Sequence, residues 1–449
     1  MSTDISITNG ASLNLKGVAS MDLEVAKKSL NYALNPDDFF GLIPRMLLRE
    51  GDQVSLGQPI FHDKSDESIK IASPVSGKIV EIVRGAKRKI LNIIIKREGD
   101  STVNFNIPSL SNITKDKILE LLVESCSLAF IRQRPYNIIA RPDRHPKSIF
   151  VSIHSTAPYA ADYAFILKNR MDELQTGINV MSRLIDKPIN LSIPHNCESD
   201  FTSLQNVDIY KIKGAHPSGN ESFQINRIDP LNSGEIVWVI KPEDLANIGS
   251  FFKTGIYNPK RTVAVSGDSL KYPKYFDTVI GSSISSLVDS KQLSNTEDYR
   301  FINGDPLSGT KVQYSDFIGF YNNTLSVIKE GNHFRMLGWL PFMYNSVPSF
   351  SKTSFSWLLG GEKKVNTNLN GEERAIVVTG EMEKYFPMDI FPMQLIKACM
   401  RGDIEKMESL GIYEVVPEDF GLVDFSCTSK IEAQEIVKSG IQIMLKEVG

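Results

Sequence analysis

Short apolar runs broken by turn residues fill the first hundred positions. Gly51-Asp52-Gln53-Val54-Ser55-Leu56-Gly57-Gln58-Pro59-Ile60-Phe61 and Ala72-Ser73-Pro74-Val75-Ser76-Gly77-Lys78-Ile79-Val80-Glu81-Ile82 each set an apolar run beside a Gly/Pro/Asp turn. That is the pattern of compact β-hairpins. Residues 79–83 and 90–95 are rich in β-branched side chains and read as strands. Gly85-Ala86-Lys87-Arg88-Lys89 joins them as a basic turn, either a solvated tip or a contact for phosphate or acidic lipid.

The period changes near Ile113. Thr114 stands before an apolar-periodic run at 118–124, but Lys117 completes only part of a capping box, so a short helix is expected. Residues 148–153 read as a buried strand. Between 162 and 184, Phe165, Ile166, Met171, Leu174, Ile178, Met181 and Leu184 recur near helical spacing. Strands follow at 188–193 and 207–212. Strand, helix, strand at this spacing signals βαβ units and a three-layer α/β domain. A third region opens at 262–268, with a helix start at 281–288 and a strand at 299–302, and suits a β-grasp module. Residues 312–380 read as irregular and β-rich. From Pro392 the pattern is helical, over 393–400, 403–410 and 430–448. The expected division is 1–105, 106–258, 259–312, 313–385 and 386–449, a multidomain α+β and α/β chain.

Composition narrows the function classes. At 449 residues the chain exceeds one hydrophobic core. It is 41% hydrophobic and 23% charged with a net charge of -3, which argues against a nucleic-acid role. No apolar run is long enough to span a bilayer. Met1-Ser2-Thr3-Asp4 lacks the basic start of a signal peptide, so a cytoplasmic location is expected. Cys126, Cys197, Cys399 and Cys427 form no C-x-x-C, and six histidines show no H-x-x-x-H, so no metal signature is present. There is no G-x-G-x-x-G after the strand near Ile149, no P-loop and no G-x-S-x-G. Two loops stand out. Lys213-Gly214-Ala215-His216-Pro217-Ser218-Gly219 follows a strand end, where α/β domains place ligand loops; it is a ligand loop or a turn shaped by Gly and Pro. Asn303-Gly304-Asp305-Pro306-Leu307-Ser308-Gly309-Thr310 is a structural elbow or a site.

Several short motifs keep their order along nearly the whole chain: Ser73-Pro74-Val75-Ser76-Gly77-Lys78, Arg84-Gly85-Ala86-Lys87-Arg88, Leu122-Val123-Glu124-Ser125, Phe130-Ile131-Arg132-Gln133-Arg134-Pro135, His216-Pro217-Ser218-Gly219, Leu307-Ser308-Gly309-Thr310-Lys311 and Pro387-Met388-Asp389-Ile390. With these the chain resembles the A subunits of the sodium-translocating NADH:quinone oxidoreductase (NqrA). The resemblance implies a barrel-sandwich hybrid domain of the biotinyl/lipoyl kind, an α/β domain like the flavin domain of the flavin-bearing subunit of complex I, an SLBB-like β-grasp module and a C-terminal helical domain. Relatives in complex I and in the Rnf complex hold flavin on a glycine-rich loop and an iron–sulfur centre on clustered cysteines. Here the matching loop, Glu124-Ser125-Cys126-Ser127-Leu128-Ala129-Phe130, has no glycine, and Leu128 and Phe130 are expected to obstruct a close backbone–phosphate approach. Cys427 stands alone in Phe425-Ser426-Cys427-Thr428-Ser429-Lys430, and one thiolate cannot hold a cluster that needs four. Lys64 and Lys70 are off the spacing of a lipoyl- or biotinyl-lysine, so no covalent prosthetic group is expected.

What the resemblance implies is a cofactor-free, non-catalytic accessory subunit of the Na(+)-transporting NADH:quinone reductase, a translocase. Its place would be peripheral, on the cytoplasmic face of the bacterial inner membrane. Its partners would be the five other subunits, chiefly the quinone-associated B subunit in the membrane, with NADH, FAD, FMN and iron–sulfur chemistry housed elsewhere in the complex. Contact with ubiquinone or menaquinone would need an apolar, aromatic-lined cavity. Phe130, His216, Phe342 and Trp357 are the quinone-vicinity candidates, with ordinary core packing as the alternative. Two other readings stand beside this one: a flavin or iron–sulfur electron carrier like the C subunit of Rnf, and a free cytosolic binding module.

Overall fold

A computed structural model describes residues 2–197, 200–293, 298–331, 348, 350 and 361–449. The chain opens with β1 (Ser2–Ser6) and β2 (Ser20–Val25), then builds the expected hairpin domain. There β3 (Asn31–Leu34), β5 (Gln53–Val54), β8 (Gly77–Arg84) and β9 (Ile90–Arg97) form a four-stranded sheet in the order β3-β9-β8-β5. A second sheet, β4-β6-β7, faces it, made of β4 (Pro44–Met46), β6 (Pro59–Asp63) and β7 (Lys70–Ala72). Lys70 lies within β7 opposite His62 rather than at a hairpin tip, and Lys64 sits exposed at the end of the β6–β7 hairpin.

The α/β domain begins with α1 (Lys115–Glu124), whose Thr114 side chain caps the Lys117 amide. It continues through β10 (Ile131–Arg134), β11 (Ile138–Ile139), β12 (Ser148–Ser152), α2 (Tyr163–Leu167), α3 (Met171–Ile185), β13 (Ile189–Pro194), β14 (Val207–Lys213), α4 (Glu221–Ile228), β15 (Val237–Ile240) and α5 (Pro242–Thr254). The sheet order is β1-β14-β13-β12-β15-β10-β11, with β1, β14, β13, β12 and β15 parallel. Every residue of β12 and β15 is buried, as expected of central strands covered on both faces. The single helix expected over 162–184 is two, because the chain turns at Lys168-Asn169-Arg170 before Asp172 and Glu173 open the longer helix. α3 and α5 approach through glycines: a Cβ on Gly249 would lie 1.8 Å from the Glu173 carbonyl, and one on Gly177 would lie 2.3 Å from that of Leu245.

The third domain has its own sheet (hereafter the third sheet), in the order β19-β18-β20-β16-β17-β2, with β16 (Lys260–Ser266), β17 (Lys274–Val279), β18 (Tyr299–Asn303), β19 (Thr310–Val312) and β20 (Thr324–Lys329). Only one helical turn, α6 (Ile284–Leu287), forms where a helix start was read. Sheet membership crosses the expected divisions. β20 is central here although its residues read as irregular. β1 completes the α/β sheet and β2 edges this one, so neither strand joins the two hairpin sheets. The C-terminal domain packs α7 (Pro392–Arg401), α8 (Ile404–Ser409), α9 (Gly421–Ser426) and α10 (Ala433–Glu447) around Leu395, Met407, Phe420 and Val437.

A buried charge cluster joins the α/β domain to the third sheet. α5 starts with Pro242 at its first position and the acids Glu243 and Asp244 in its first turn, where carboxylates complement the helix dipole. Both acids meet Arg261 of β16, at 3.5 Å and 2.7 Å, and all three side chains are fully buried. Arg261 also donates to the Phe320 carbonyl (2.8 Å), Asn323 donates to Glu243 (2.6 Å), and Arg170 lies 3.6 Å from Glu243. Burial pushes the Glu243 carboxyl up, against the pull of Arg261 and Arg170. Arg261→Met should destabilise the chain by about 3–5 kcal/mol, because it leaves two buried carboxylates without their cation. A thermal midpoint equal to that of the parent would refute this. Gly249→Ala should cost about 1–3 kcal/mol by forcing α3 and α5 apart, read the same way.

Candidate functional site

The strand order places a switch point at β12. The chain leaves β12 for β13 on one side and reaches β15 on the other, so a crevice opens beyond the carboxyl ends of β12 and β15. A cleft of about 500 Å³ occupies that position. Each domain contributes to its wall: Asp38 from the hairpin domain, Arg132, His154, His216, Glu221 and Lys241 from the α/β domain, Asp305 and Tyr321 from the third sheet's loops, and Glu418 from the helical domain. A more open depression of about 650 Å³ lies at the far end of α3, where the charged side chains are Arg183, Asp186 and Lys187. It is at the amino edge of the parallel strands, away from the switch point.

Backbone direction explains the cleft residues. His154 follows β12 by two positions and its Nε2 bonds the Ser218 hydroxyl (3.0 Å). His216, in the loop after β14, bonds Thr156 through Nδ1 (3.2 Å). Lys241 ends β15 and precedes α5; its ammonium donates to the Tyr321 carbonyl (2.7 Å). Arg132 lies on β10 opposite Val239 of β15, 5.7 Å above the Tyr321 ring and 3.8 Å from Glu221. Arg134, on the same face, lies 3.6 Å from Glu418. Burial alone would raise the Glu418 carboxyl, but Arg132, Arg134 and Lys241 outweigh it and hold it below its ordinary range. Burial and then the charge of Arg132 push the Lys241 ammonium down.

The quinone-vicinity candidates do not gather. His216 lines the cleft. Phe130 is 1% exposed in the core, stacked on Tyr257 with centroids 5.5 Å apart and against Phe320. Phe342 and Trp357 lie outside the described residues. The loop after β14 and the elbow at 303–310 share the cleft wall, and Asp305 also shapes its own turn by accepting from the Leu307 and Ser308 amides (2.8 and 3.1 Å). Sequence reading did not single out Arg132, His154, Glu221, Lys241 or Glu418 as site residues. The available signal was position: His154 and Lys241 stand directly after buried strands.

The segment expected to match a flavin loop does not fit a flavin. Ser125 to Phe130 are all buried in the principal core, and Cys126 takes a left-handed turn at φ 60. Leu128 and Phe130, expected to obstruct a phosphate, fill the core beneath the cleft, where the Tyr321 hydroxyl donates to the Ala129 carbonyl (2.6 Å). Burial drives the Cys126 thiol up to about 12. Cys427 and Cys399 are packed in the helical core, and no group of three metal-ligating side chains occurs among the described residues. These residues do not fit an iron–sulfur centre.

Fold and cleft together define a class: a multidomain protein in which barrel-sandwich, α/β and SLBB-type modules close around a switch-point crevice. Family models agree module by module. The NqrA N-terminal barrel-sandwich hybrid domain matches residues 5–98, the NqrA second alpha/beta domain matches 113–257, and the NQRA C-terminal domain matches 262–314. The A subunit of the Na(+)-translocating NADH-quinone reductase of Rhodopirellula baltica is 32% identical over 100% of both chains. Its counterpart in Neisseria meningitidis serogroup B is 31% identical over 99% of this chain and 100% of its own, and that of Pasteurella multocida is 31% identical with the same coverage. This chain belongs to the family of Na(+)-translocating NADH-quinone reductase A subunits.

Two cleft groups should give pH effects of opposite sign. Burial pushes His154 down to about 4 from an ordinary 6.5. Between those values an unfolded chain takes up a proton that the folded one refuses, so stability is lost as pH falls through this window. Asp38 is pushed up to about 6 from 3.8, by burial and the neighbouring Asp37 against the Phe320 amide. Its contribution is full below 3.8 and lost as pH rises through about 6. His154→Gln should therefore flatten the acid-side fall in thermal midpoint. Asp38→Asn should be more stable than the parent above pH 6, with the gap gone below pH 4. Parallel curves for parent and variants would contradict both.

Proposed function

We propose that the chain acts as a peripheral, cofactor-free subunit of a sodium-pumping NADH:quinone oxidoreductase, on the cytoplasmic face of the membrane, where it supports the membrane-embedded B subunit and borders the quinone site. The carrying observation is the end-to-end relationship to A subunits of that complex, in which all three matched modules keep their order. The packing of Ser125 to Phe130 supports the cofactor-free part, since a segment that fills the core is unavailable to cradle phosphate. The burial of Cys399 and Cys427 among apolar helices supports it further. The quinone-bordering part rests on His216, which alone among the described candidates faces open space.

Two measurements test this reading. Affinity purification of the tagged chain from solubilised membranes should bring down the membrane subunits in fixed ratio; a stable pool without partners would favour the free binding module instead. The purified chain should lack flavin and iron–sulfur absorbance and should not gain it on incubation with FMN or with iron and sulfide. A coloured, iron-bearing protein would establish the electron-carrier reading. Saturable binding of a quinone analogue, weakened by His216→Ala, is expected if the chain borders the quinone site; its absence removes that part and leaves the supporting role.

A further inference from the structure

The wall of the switch-point cleft carries hydrogen-bond donors that no described residue satisfies. Arg132 is 8% exposed, so its guanidinium has little access to bulk water. It offers five N–H donors. Its described contacts are the Tyr321 ring beneath it at 5.7 Å and the Glu221 carboxylate at 3.8 Å, which is beyond hydrogen-bond reach. Lys241 uses one of its three donors on the Tyr321 carbonyl. Lys241 is half-buried, and the donors of both side chains line the cleft, where a ligand's oxygens can reach them.

We propose that this cleft binds a small polar ligand through an oxyanion, a carboxylate or a phosphate, seated between the guanidinium of Arg132 and the ammonium of Lys241. Arginine matches such a group because its planar fork donates two parallel N–H bonds to it. The Tyr321 ring, 5.7 Å from the centre of the fork, supports it by a cation–π contact that uses none of its N–H donors. The amino end of α4, with Gly219 and Asn220, opens on the same space and adds a favourable dipole.

The opposing charges have been placed. Glu221 and Glu418 face the cations, Asp37, Asp38 and Asp305 also line the cleft, and Asp419 stands behind, accepting from the Asn220 side chain (3.0 Å) and the Val416 amide (2.9 Å). Among the described residues none of these carboxylates accepts a hydrogen bond from Arg132; they balance its charge at a distance. Arg134 is different. Its Nε, Nη1 and Nη2 are unpartnered among the described residues as well, but the void beside it is about 10 Å³, the size of one water. We assign that void to water and the larger cleft to the ligand. The polar wall suits this ligand rather than a quinone with an apolar tail; His216 lines the same cleft, so the inference competes with the quinone-bordering part of the function proposed above and leaves its supporting part untouched.

The test uses the purified full-length chain with inorganic phosphate and succinate as probes and chloride at matched ionic strength as control. Titration calorimetry and thermal shift should show saturable binding of at least one probe and none of chloride; which of the two binds tells phosphate from carboxylate. Arg132→Gln and Lys241→Gln should each weaken that binding about ten-fold or more, the scale of one lost charge-assisted pair. Arg300→Gln, on the far side of the third sheet, should leave it unchanged. Should Arg132→Gln fail to fold, crystals of the parent soaked in selenate decide the matter: anomalous density between Arg132 and Lys241 supports the seat, and water alone there overturns it. No saturable binding of either probe, or binding unaffected in a folded Arg132→Gln variant, overturns it as well.

Discussion

The position of one guanidinium governs the architecture around the cleft. Arg261 is fully buried between the first turn of α5 and the third sheet, and two carboxylates and a carbonyl hold it there. The same helix start carries Lys241, and the loop that accepts from Arg261 at Phe320 carries Tyr321. Fixing Arg261 therefore fixes the distance between two walls of the cleft. Buried ion pairs contribute little net stability once desolvation is counted. Their value here is geometric, since any sliding of one sheet against the other would strand a charge in an apolar interior.

Much of the fold was legible as pattern. Alternating and β-branched runs marked the hairpin domain, and the continuous apolar strands at Ser148–Ser152 and Ile189–Pro194 marked a covered parallel sheet. What escaped were elements whose partners are remote. Thr324–Lys329 has an ordinary strand composition but was surrounded by irregular sequence, and only its neighbours β16 and β18 make it a central strand. Ser20–Val25 is exposed at every residue, so no burial rhythm announced it. The cleft was least legible of all. Arg132, Lys241 and Glu418 are separated by more than a hundred positions each, and charged residues in a single sequence look like solvated surface until the fold buries them.

The histidine loop and the Asn303–Thr310 elbow show how two readings coexist. Each is a turn with internal reasons for its shape. Asp305 caps its own elbow, and a Cβ on Gly214 would lie 2.6 Å from the Ile7 carbonyl. Each nevertheless presents a side chain to shared space. The packed turn at Ser125–Phe130 shows the reverse: a loop that the resemblance pointed to as a ligand loop is core, with Phe130 stacked among Tyr257 and Phe320.

The first strand has a consequence for biosynthesis. Ser2–Ser6 pairs with Ile209–Lys213, so its hydrogen-bonding edge stays unmatched until some two hundred further residues have been translated. At about 5–20 residues per second that interval is roughly 10–40 s. Throughout it this strand must wait while the hairpin domain, whose contacts are local, is free to fold beside the ribosome. The order of strands along the chain is thus not the order in which they can find their partners.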